Sequence, residues 1–202
     1  MSIKIIDYGV CNALSVKNML NRIGFPCSIV KSPNEINISD KLILPGIGSF
    51  DNGMNNLKNL SWISYFKNEF DYEKNYLLGL CLGMQILLDD SEEGNLGGLG
   101  LISGKVKKLN FDNNNKIPNI GWRKLTIKNL SLLTNELQFD DQFYFVHSYY
   151  CDVSDDTSIV AISSHAISFP AIIQKNNVFG CQFHPEKSNI YGMKILKSFA
   201  NL

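Results

Sequence analysis

The 202-residue chain is long enough for one well-buried domain and short for two. Its 19 basic and 19 acidic residues give a net charge of zero, so charge provides no basis for binding nucleic acid or an anionic membrane. The five cysteines form no C-x-x-C pair, which argues against a disulfide framework or a zinc site and predicts a reducing, cytoplasmic setting. The first residues lack the pattern of a signal peptide, and no apolar run approaches the roughly 18 residues needed to span a bilayer.

The first quarter of the chain alternates short apolar segments with one amphipathic segment. Residues 3–7 predict a strand, and Asn12 can cap the helix that follows. Residues 27–30 and 41–44 predict two more strands, and strand, helix and strand at this spacing are typical of a parallel sheet. Residues 45–48 read Pro-Gly-Ile-Gly, where two glycines allow a tight turn or a peptide that can reorient.

The middle of the chain predicts one long helix, a buried strand and a glycine-rich loop. Residues 54–70 place their apolar side chains on one helical face, and residues 76–78 form an apolar run that is typical of a buried strand. Residues 91–104 contain five glycines and predict a surface loop. A phosphate-binding loop is disfavoured there because no Lys-Ser or Lys-Thr pair follows.

From residue 117 onward the pattern changes to short strands. Exposed turns are predicted at residues 112–115 and at residues 117–122, of which the second carries a tryptophan. The predicted strands and the closing helix lie at residues 105–109, 143–150, 160–163, 171–174, 178–182 and 189–199. No repeat, linker or low-complexity tract divides the chain, so residues 1–202 are predicted to form a single domain.

The stretch Gly79-Leu80-Cys81-Leu82-Gly83-Met84-Gln85 is the most informative in the chain. It places Cys81 at a turn from a buried strand into a helix, with a glycine two residues away on either side. Such a turn presents a nucleophile to a pocket, its small neighbours let backbone approach closely, and the start of a helix favours a thiolate. The same pattern also fits a cysteine buried at a strand–helix junction, so the motif alone leaves both interpretations open.

A second stretch supplies what a cysteine nucleophile needs. A histidine can take the proton of the cysteine thiol and later deliver a proton to a leaving amine. A carboxylate can fix the orientation of the histidine ring. His184 and Glu186 lie two residues apart just beyond a predicted strand, and Pro185 between them makes the turn rigid. A lone histidine is usually structural, but the combination with the cysteine turn predicts catalysis.

Residues 79–85 and 182–188 are similar to the two signatures of class I glutamine amidotransferase domains, whose Cys-His-Glu triad hydrolyses glutamine to glutamate and ammonia. Within that family, the chain most resembles the glutaminase subunits of the imidazole glycerol phosphate synthases of histidine biosynthesis. Four further stretches support the resemblance, at residues 7–12, 45–48, 121–122 and 144–149. The resemblance implies a flavodoxin-like α/β fold with a mixed, mainly parallel central sheet, helices on both faces and a strand-rich C-terminal half.

The resemblance assigns a catalytic role to five residues. Cys81 resembles the nucleophile, His184 the general base and acid, and Glu186 the residue that orients the histidine. Leu82 and Ile47 resemble the residues whose backbone N–H groups bind the oxyanion. In the family, the strand that carries the second donor must reorient before that N–H points inward, which keeps the glutaminase nearly idle alone.

The resemblance also implies a substrate site for L-glutamine. Gln85 looks like a direct contact of the substrate, and Ser148 and Tyr149 look like residues that hold its α-amino and α-carboxylate ends. Gly46 and Gly48 resemble the glycines that border the same site and permit the strand to reorient. No metal or organic cofactor is implied, because thiolate, imidazole and oxyanion donors complete the chemistry.

A partner is implied as well, a (β/α)8 cyclase subunit that forms a heterodimer with the glutaminase and uses its ammonia. Asn12, Trp122 and Lys187 are similar to residues at that interface. The family pattern Pro-His-x-Gly-Trp-Asn appears here with Asn119 and Arg123 in place of its histidine and last asparagine. Both substitutions fall where the family meets its cyclase and relays its signal.

Three alternatives remain at this point. The altered partner positions are compatible with a paralogous subunit that supplies ammonia to a cyclase-like partner, which aminates a nucleotide sugar for surface glycans such as lipopolysaccharide or glycosylated flagellin. A cysteine peptidase on the same scaffold is disfavoured by Gln85 and Glu186. A non-catalytic binding module is disfavoured by the intact triad.

Overall fold

The computed structural model describes residues 2–110 and 116–202, so the turn predicted at residues 112–115 lies outside the described residues. The strands and helices in chain order are β1 (Ile3–Ile6), α1 (Ala13–Arg22), β2 (Cys27–Val30), β3 (Lys41–Gly46), α2 (Phe50–Asn59), α3 (Trp62–Asn68), β4 (Leu77–Cys81), α4 (Leu82–Ile86), β5 (Asp90–Ser91), β6 (Gly104–Lys108), β7 (Asn119–Lys124), β8 (Thr126–Ile127), β9 (Gln142–His147), β10 (Tyr149–Val153), β11 (Ile159–His165), β12 (Ile167–Lys175), β13 (Val178–Cys181) and α5 (Asn189–Asn201). Short 3-10 helices lie at Pro33–Glu35, Leu132–Thr134, Asp156–Ser158 and Pro185–Lys187.

An eight-stranded sheet forms the centre of the described chain, in the order β2-β1-β3-β4-β13-β12-β11-β8. The strands β2, β1, β3, β4 and β13 run parallel to one another. The remaining three strands, β12, β11 and β8, pair antiparallel with their neighbours. The predicted mixed, mainly parallel α/β sheet is therefore confirmed, and its order brings β13 directly beside β4.

Helices cover both faces of this sheet because its central strands are apolar on both sides. Val16 of α1 and Phe199 of α5 belong to the core on one face, and Leu57 of α2 and Trp62 of α3 belong to the core on the other. All four side chains are fully buried. Successive residues of β3 alternate between the two cores, as the two-residue repeat of a strand requires.

The single helix predicted over residues 54–70 is wrong, because the chain turns sharply in its middle. Ser61 has a φ of +64°, in the left-handed region, and this separates α2 from α3. The turn brings the indole of Trp62 into the core, where its centroid lies 5.8 Å from that of the Tyr65 ring. The apolar spacing runs across the break without interruption, so the pattern could not reveal it.

Two predictions in the C-terminal half also need correction. Residues 117–122 form no surface turn: most of them belong to β7, which pairs antiparallel with β9 and places Asn119 opposite His147. The strand predicted at residues 143–150 is two strands, because the chain changes partners at Ser148 and β10 pairs with β6. Both corrections matter for function, since β7, β9 and β10 carry polar side chains toward the same end of β4 as the cysteine.

Candidate active site

Cys81 lies on a tight turn between β4 and α4 that its neighbouring glycines make possible. Its φ is +54°, a conformation that costs a non-glycine residue on the order of 1–3 kcal/mol. A Cβ atom on Gly79 would come within 2.6 Å of the Gly83 carbonyl oxygen, and one on Gly83 would overlap the Leu44 carbonyl. The structure therefore contains the turn that the glycine spacing predicted, and this turn places the sulfur of Cys81 at the end of β4.

His184 and Glu186 lie on the turn after β13, which is the neighbour of β4 in the sheet. His184 Nδ1 is 2.9 Å from Glu186 Oε1, and the two side chains are only 5% and 3% exposed. Pro185 begins a short 3-10 helix that contains Glu186 and follows directly after His184, and its ring restricts the backbone between the two side chains. The fold thus brings together the three residues predicted as a triad, although they are distant in sequence.

The electrostatics of the pair favour a charged imidazole. Burial acts to lower the pKa of His184, but hydrogen bonding to the side chains of Cys81 and Glu186 outweighs it and raises that pKa to about 10. The ring therefore holds its proton at neutral pH. An imidazolium beside the sulfur stabilises the thiolate, the nucleophilic form of cysteine, and keeps a proton ready for a leaving group.

A cavity of about 340 Å³ opens at the sulfur of Cys81. The predicted substrate contacts that line it are Gly48, Gln85, Ser148 and Tyr149. Gly46 is buried instead beside Cys81, opposite it in the register of β3 and β4. The cavity can therefore hold a small polar molecule against the nucleophile.

The two backbone donors predicted for an oxyanion are in different states. Leu82 lines the cavity and is the first residue of α4, so its N–H has no acceptor within the helix. The Ile47 N–H donates instead to the Val10 carbonyl, at 2.9 Å. This second donor becomes available only if the peptide turns, and Gly48, with a φ of +92°, provides the freedom next to it.

Two further polar side chains line the cavity to which the sequence assigned no role. Glu93 Oε2 accepts the Phe50 N–H at the start of α2, at 2.8 Å, which fixes this carboxylate in the cavity wall. His147 is buried, and its ring lies between the Tyr149 carbonyl and the side chain of Asn119. Nothing in the glycine-rich loop around Glu93 indicated a role for this residue, whereas His147 lies in the segment 143–150 that was predicted as a strand.

The residues predicted at a partner interface differ in exposure. Trp122 is 42% exposed, and Lys187 is exposed at the mouth of the cavity. Asn12 and Arg123 are half-buried. Asn119 is fully buried, so its side chain reaches the surface only through Arg123, whose Nε donates to Asn119 Oδ1 at 2.6 Å.

No metal cluster is found in the part of the chain that the structure describes: residues 2–110 and 116–202 contain no group of three or more His, Cys, Asp or Glu placed to hold an ion. Within the same ranges, no helix is both long and apolar enough to cross a membrane. The cysteines, at positions 11, 27, 81, 151 and 181, are all free thiols.

Comparison with known proteins gives the family. The profile described as "Glutamine amidotransferase class-I" matches residues 4–201. The chain belongs to this family. The match spans the central sheet except for its first residue, Ile3, and includes the cysteine turn and the histidine turn, so the resemblance inferred from the sequence motifs is confirmed.

Curated members of the family are similar to the chain over its full length. "Imidazole glycerol phosphate synthase subunit HisH 2" of Methanococcus maripaludis is 46% identical over 199 residues, which cover 98% of this chain and 98% of that protein. The HisH subunit of Leptospira interrogans is 42% identical over 204 residues, with 99% and 100% covered. The HisH subunit of Bacillus subtilis is 40% identical over 205 residues, with 99% and 96% covered.

Solved structures agree on the fold. The crystal structure of a protein described as a GMP synthase subunit, from Thermoplasma acidophilum, has a TM-score of 0.71 at 22% identity, covering 100% of this chain and 92% of that one. The structure of PurLQS from Thermotoga maritima has a TM-score of 0.70 at 20% identity, with 99% and 97% covered. The predicted class I glutamine amidotransferase fold is thereby confirmed.

Proposed function

We propose that this chain is the glutaminase subunit of an imidazole glycerol phosphate synthase and supplies ammonia to a (β/α)8 cyclase subunit. The observation that carries the proposal is the convergence of Cys81 and His184 at one cavity, with Glu186 hydrogen-bonded to His184, in a chain that is 46% identical to a HisH subunit over 98% of both proteins. The cyclase would use the ammonia to make imidazole glycerol phosphate and AICAR in histidine biosynthesis.

In the proposed reaction, the Cys81 thiolate attacks the side-chain carboxamide carbon of glutamine, and the carboxamide oxygen becomes an oxyanion. The Leu82 N–H donates to that oxygen, and the Ile47 N–H joins it after leaving its present acceptor. His184 gives its proton to the nitrogen, the C–N bond breaks, and ammonia departs. A γ-glutamyl thioester on Cys81 remains.

The second half of the reaction restores the enzyme. Water attacks the thioester carbon while His184 takes a proton from it as a general base. The C–S bond breaks, and glutamate leaves with the oxygen of that water in its new carboxylate. Glu186 orients the imidazole through Nδ1 in both halves, so the same ring can act first as acid and then as base.

Groups in the cavity wall suit the two charged ends of glutamine. The Glu93 carboxylate is placed to pair with the α-ammonium group, and the Ser148 hydroxyl can donate to the α-carboxylate. Gln85 and Tyr149 contribute polar groups between these ends. The substrate would thus be held by its amino-acid moiety while its carboxamide meets the sulfur.

The cyclase partner would dock where the cavity opens. Lys187 is exposed at the mouth of the cavity and Trp122 is exposed on β7, while Asn12 and Arg123 are half-buried and Asn119 is fully buried. We place the resulting heterodimer in the cytoplasm, since a biosynthetic enzyme whose five cysteines are free thiols suits a reducing compartment.

The nucleotide-sugar paralogue is the alternative, and the altered residues Asn119 and Arg123 are the observation in its favour. The three relatives described above are all named as imidazole glycerol phosphate synthase subunits, at 40% to 46% identity. Their names favour the histidine pathway as the destination of the ammonia.

Glutamate release by the purified protein tests the proposal. The assay compares the chain alone, the chain with its cognate cyclase, and the complex with the nucleotide substrate of the cyclase. We expect weak release alone and strong stimulation by the nucleotide. Glutamate release that does not change when the nucleotide is added would favour the nucleotide-sugar paralogue. If no glutamate is released from glutamine in any of the three assays, the protein is not a glutaminase.

Glu186→Gln tests whether the Glu186 carboxylate supports His184 in catalysis while the Cys81 nucleophile is left in place. The amide keeps the shape of the carboxylate but removes the negative charge that helps to raise the pKa of His184. We expect the stimulated rate to fall by about a hundredfold and the basic limb of its pH profile to move to lower pH. Glu136→Gln, in an exposed pair with Lys197, is the matched control. An unchanged rate and profile would remove Glu186 from the triad.

A further inference from the structure

A chain of hydrogen bonds leads from the wall of the cavity to the half-buried arginine of β7. At the cavity, Gln85 Nε2 donates to the Tyr149 carbonyl at 3.0 Å, and His147 Nδ1 lies 2.8 Å from the same oxygen. His147 Nε2 lies 2.8 Å from Asn119 Nδ2. Asn119 Oδ1 in turn accepts from Arg123 Nε at 2.6 Å. Two buried side chains therefore join a substrate-binding element to the surface.

The two ends of this chain fix the direction of every hydrogen bond within it. The Arg123 guanidinium can only donate, and the Tyr149 carbonyl can only accept. Asn119 must therefore turn its oxygen to Arg123 and its amino group to His147, whose Nε2 must accept. His147 then carries its single proton on Nδ1. A protonated ring would oppose two N–H groups, and reversing the Asn119 amide would only move that conflict to Arg123.

The surroundings of His147 also favour the neutral form of its ring. Burial is the largest cause that lowers its pKa, and a positive charge on any of its neighbours His165 on β11, Arg123 on β7 and His184 after β13 lowers it further. The hydrogen bond to the Tyr149 carbonyl opposes them, and the resulting pKa is about 4. The ring is therefore neutral at physiological pH, as the hydrogen-bond directions require.

Arg123 is itself held from a second side. Its Nη2 lies 2.8 Å from His165 Nδ1, and His165 Nε2 lies 3.0 Å from the Lys116 carbonyl. Because the guanidinium only donates, His165 Nδ1 accepts and Nε2–H donates to Lys116. The position of Arg123 is thus set by groups on two strands and on the segment before β7.

At the cavity, the hydrogen bonds of Gln85 determine which of its side-chain atoms can bind a substrate. One hydrogen of its amino group goes to the Tyr149 carbonyl, and the other goes to Gln182 Oε1 at 3.2 Å. Both donors are then committed, so only the side-chain oxygen of Gln85 is left for a ligand. That oxygen can accept from either of the two N–H bearing groups of glutamine, the α-ammonium and the carboxamide.

We propose that Asn119 and Arg123 are positioning residues for glutamine, which hold His147 neutral with its proton on Nδ1 and so fix the Tyr149 carbonyl and the oxygen of Gln85 for the substrate. Neither side chain touches the substrate in this arrangement, and both act through His147. The inference rests on the proposed glutaminase function and extends it to the two residues in which the chain departs from the family pattern.

The first test is independent of activity. The chain has only three histidines, so nitrogen-15 NMR of the isolated protein can follow each ring separately. We expect His147 to remain neutral with its proton on Nδ1 from about pH 8 to about pH 5. A proton on Nε2, or titration near the ordinary pKa of about 6.5, would overturn the inference.

The second test uses the complex with the cognate cyclase. Asn119→Asp keeps the shape of the side chain but presents only acceptor oxygens to His147 Nε2, so the single proton of this ring should move from Nδ1 to Nε2 in the NMR spectrum, and the ring then no longer donates to the Tyr149 carbonyl. We expect the KM for glutamine to rise roughly tenfold while kcat changes by less than about twofold, because a substrate contact is lost and the triad is untouched. Lys124→Ala, on the same strand but in an exposed pair with Asp140, should leave KM unchanged.

Arg123 provides a variant pair that does not disturb the buried asparagine. Arg123→Met removes the Nε–H group that donates to Asn119 Oδ1 and should raise KM about as much as Asn119→Asp does. Arg123→Lys keeps a donor on this side chain and should leave KM near the wild-type value. An unchanged KM in Asn119→Asp and Arg123→Met, in a complex whose wild-type form is active, would overturn the positioning role alone. Absence of glutamate release by the wild-type complex would instead contradict the proposed function.

Discussion

Cys81→Ser is expected to abolish glutamate release by the complex, with a loss on the order of 10⁴-fold or more. A serine hydroxyl stays protonated at neutral pH and is a far weaker nucleophile than a thiolate. The substitution changes one buried atom, so the chain should still fold and bind the cyclase. The measurements are glutamate release with and without the nucleotide, and complex formation by size-exclusion chromatography.

Covalent labelling sharpens this test. A chloroketone or diazo-ketone analogue of glutamine should alkylate Cys81 in the wild-type protein and leave Cys81→Ser unlabelled. Cys27→Ser, at the half-buried start of β2, is the control with the same chemical change. Retained glutaminase activity in Cys81→Ser would remove the cysteine from the mechanism. Hydrolysis of peptides, but not of glutamine, by the wild type would favour the peptidase alternative.

Ile47→Pro should remove partner stimulation while sparing most of the unstimulated rate. The ring deletes the N–H that the reaction needs as its second oxyanion donor, and losing one such donor typically costs about 10² to 10³ in rate. In the structure this N–H is already engaged by the Val10 carbonyl, so the chain alone gains little from it. The extended backbone of β3 before it and the exposed position of Ile47 both accept a proline.

The matched control is Ile47→Ala, which removes the side chain but keeps the N–H. We expect it to retain stimulation within about twofold, since the donor is backbone. The readout is the ratio of stimulated to unstimulated glutamate release for each variant in the same complex. Full stimulation in Ile47→Pro would show that another group serves as the second donor, and an equal loss of both rates would show that the donor already acts in the resting enzyme.

The parts of the site that the sequence could predict are those encoded by short-range patterns. The glycines around Cys81 specify a strand–helix turn that only small neighbours allow. His184 and Glu186 share one turn of the chain, so their spacing alone places the carboxylate near the ring. The parallel sheet follows from the alternation of apolar strands with helices in the first half of the chain.

The parts that the sequence could not predict depend on partners far away in the chain. The break at Ser61 leaves the apolar periodicity intact, so nothing in the pattern separates two helices from one. The bond from the Ile47 N–H to the Val10 carbonyl joins backbone groups, which carry no residue signature. Asn119 meets His147 only because β7 pairs with β9, and residues 117–122 did not suggest a strand.

The place of β13 in the sheet has a consequence for the order in which the enzyme is assembled. This late strand lies between β4 and β12, so it links the parallel part of the sheet to its antiparallel part. Such long-range pairing forms late, after the loops between the strands have closed. During synthesis the segment of Cys81 is made before that of His184, and the nucleophile stays without its base until β13 has joined the sheet. The chain therefore becomes catalytically competent only when β13 has paired with β4 and brought His184 beside Cys81.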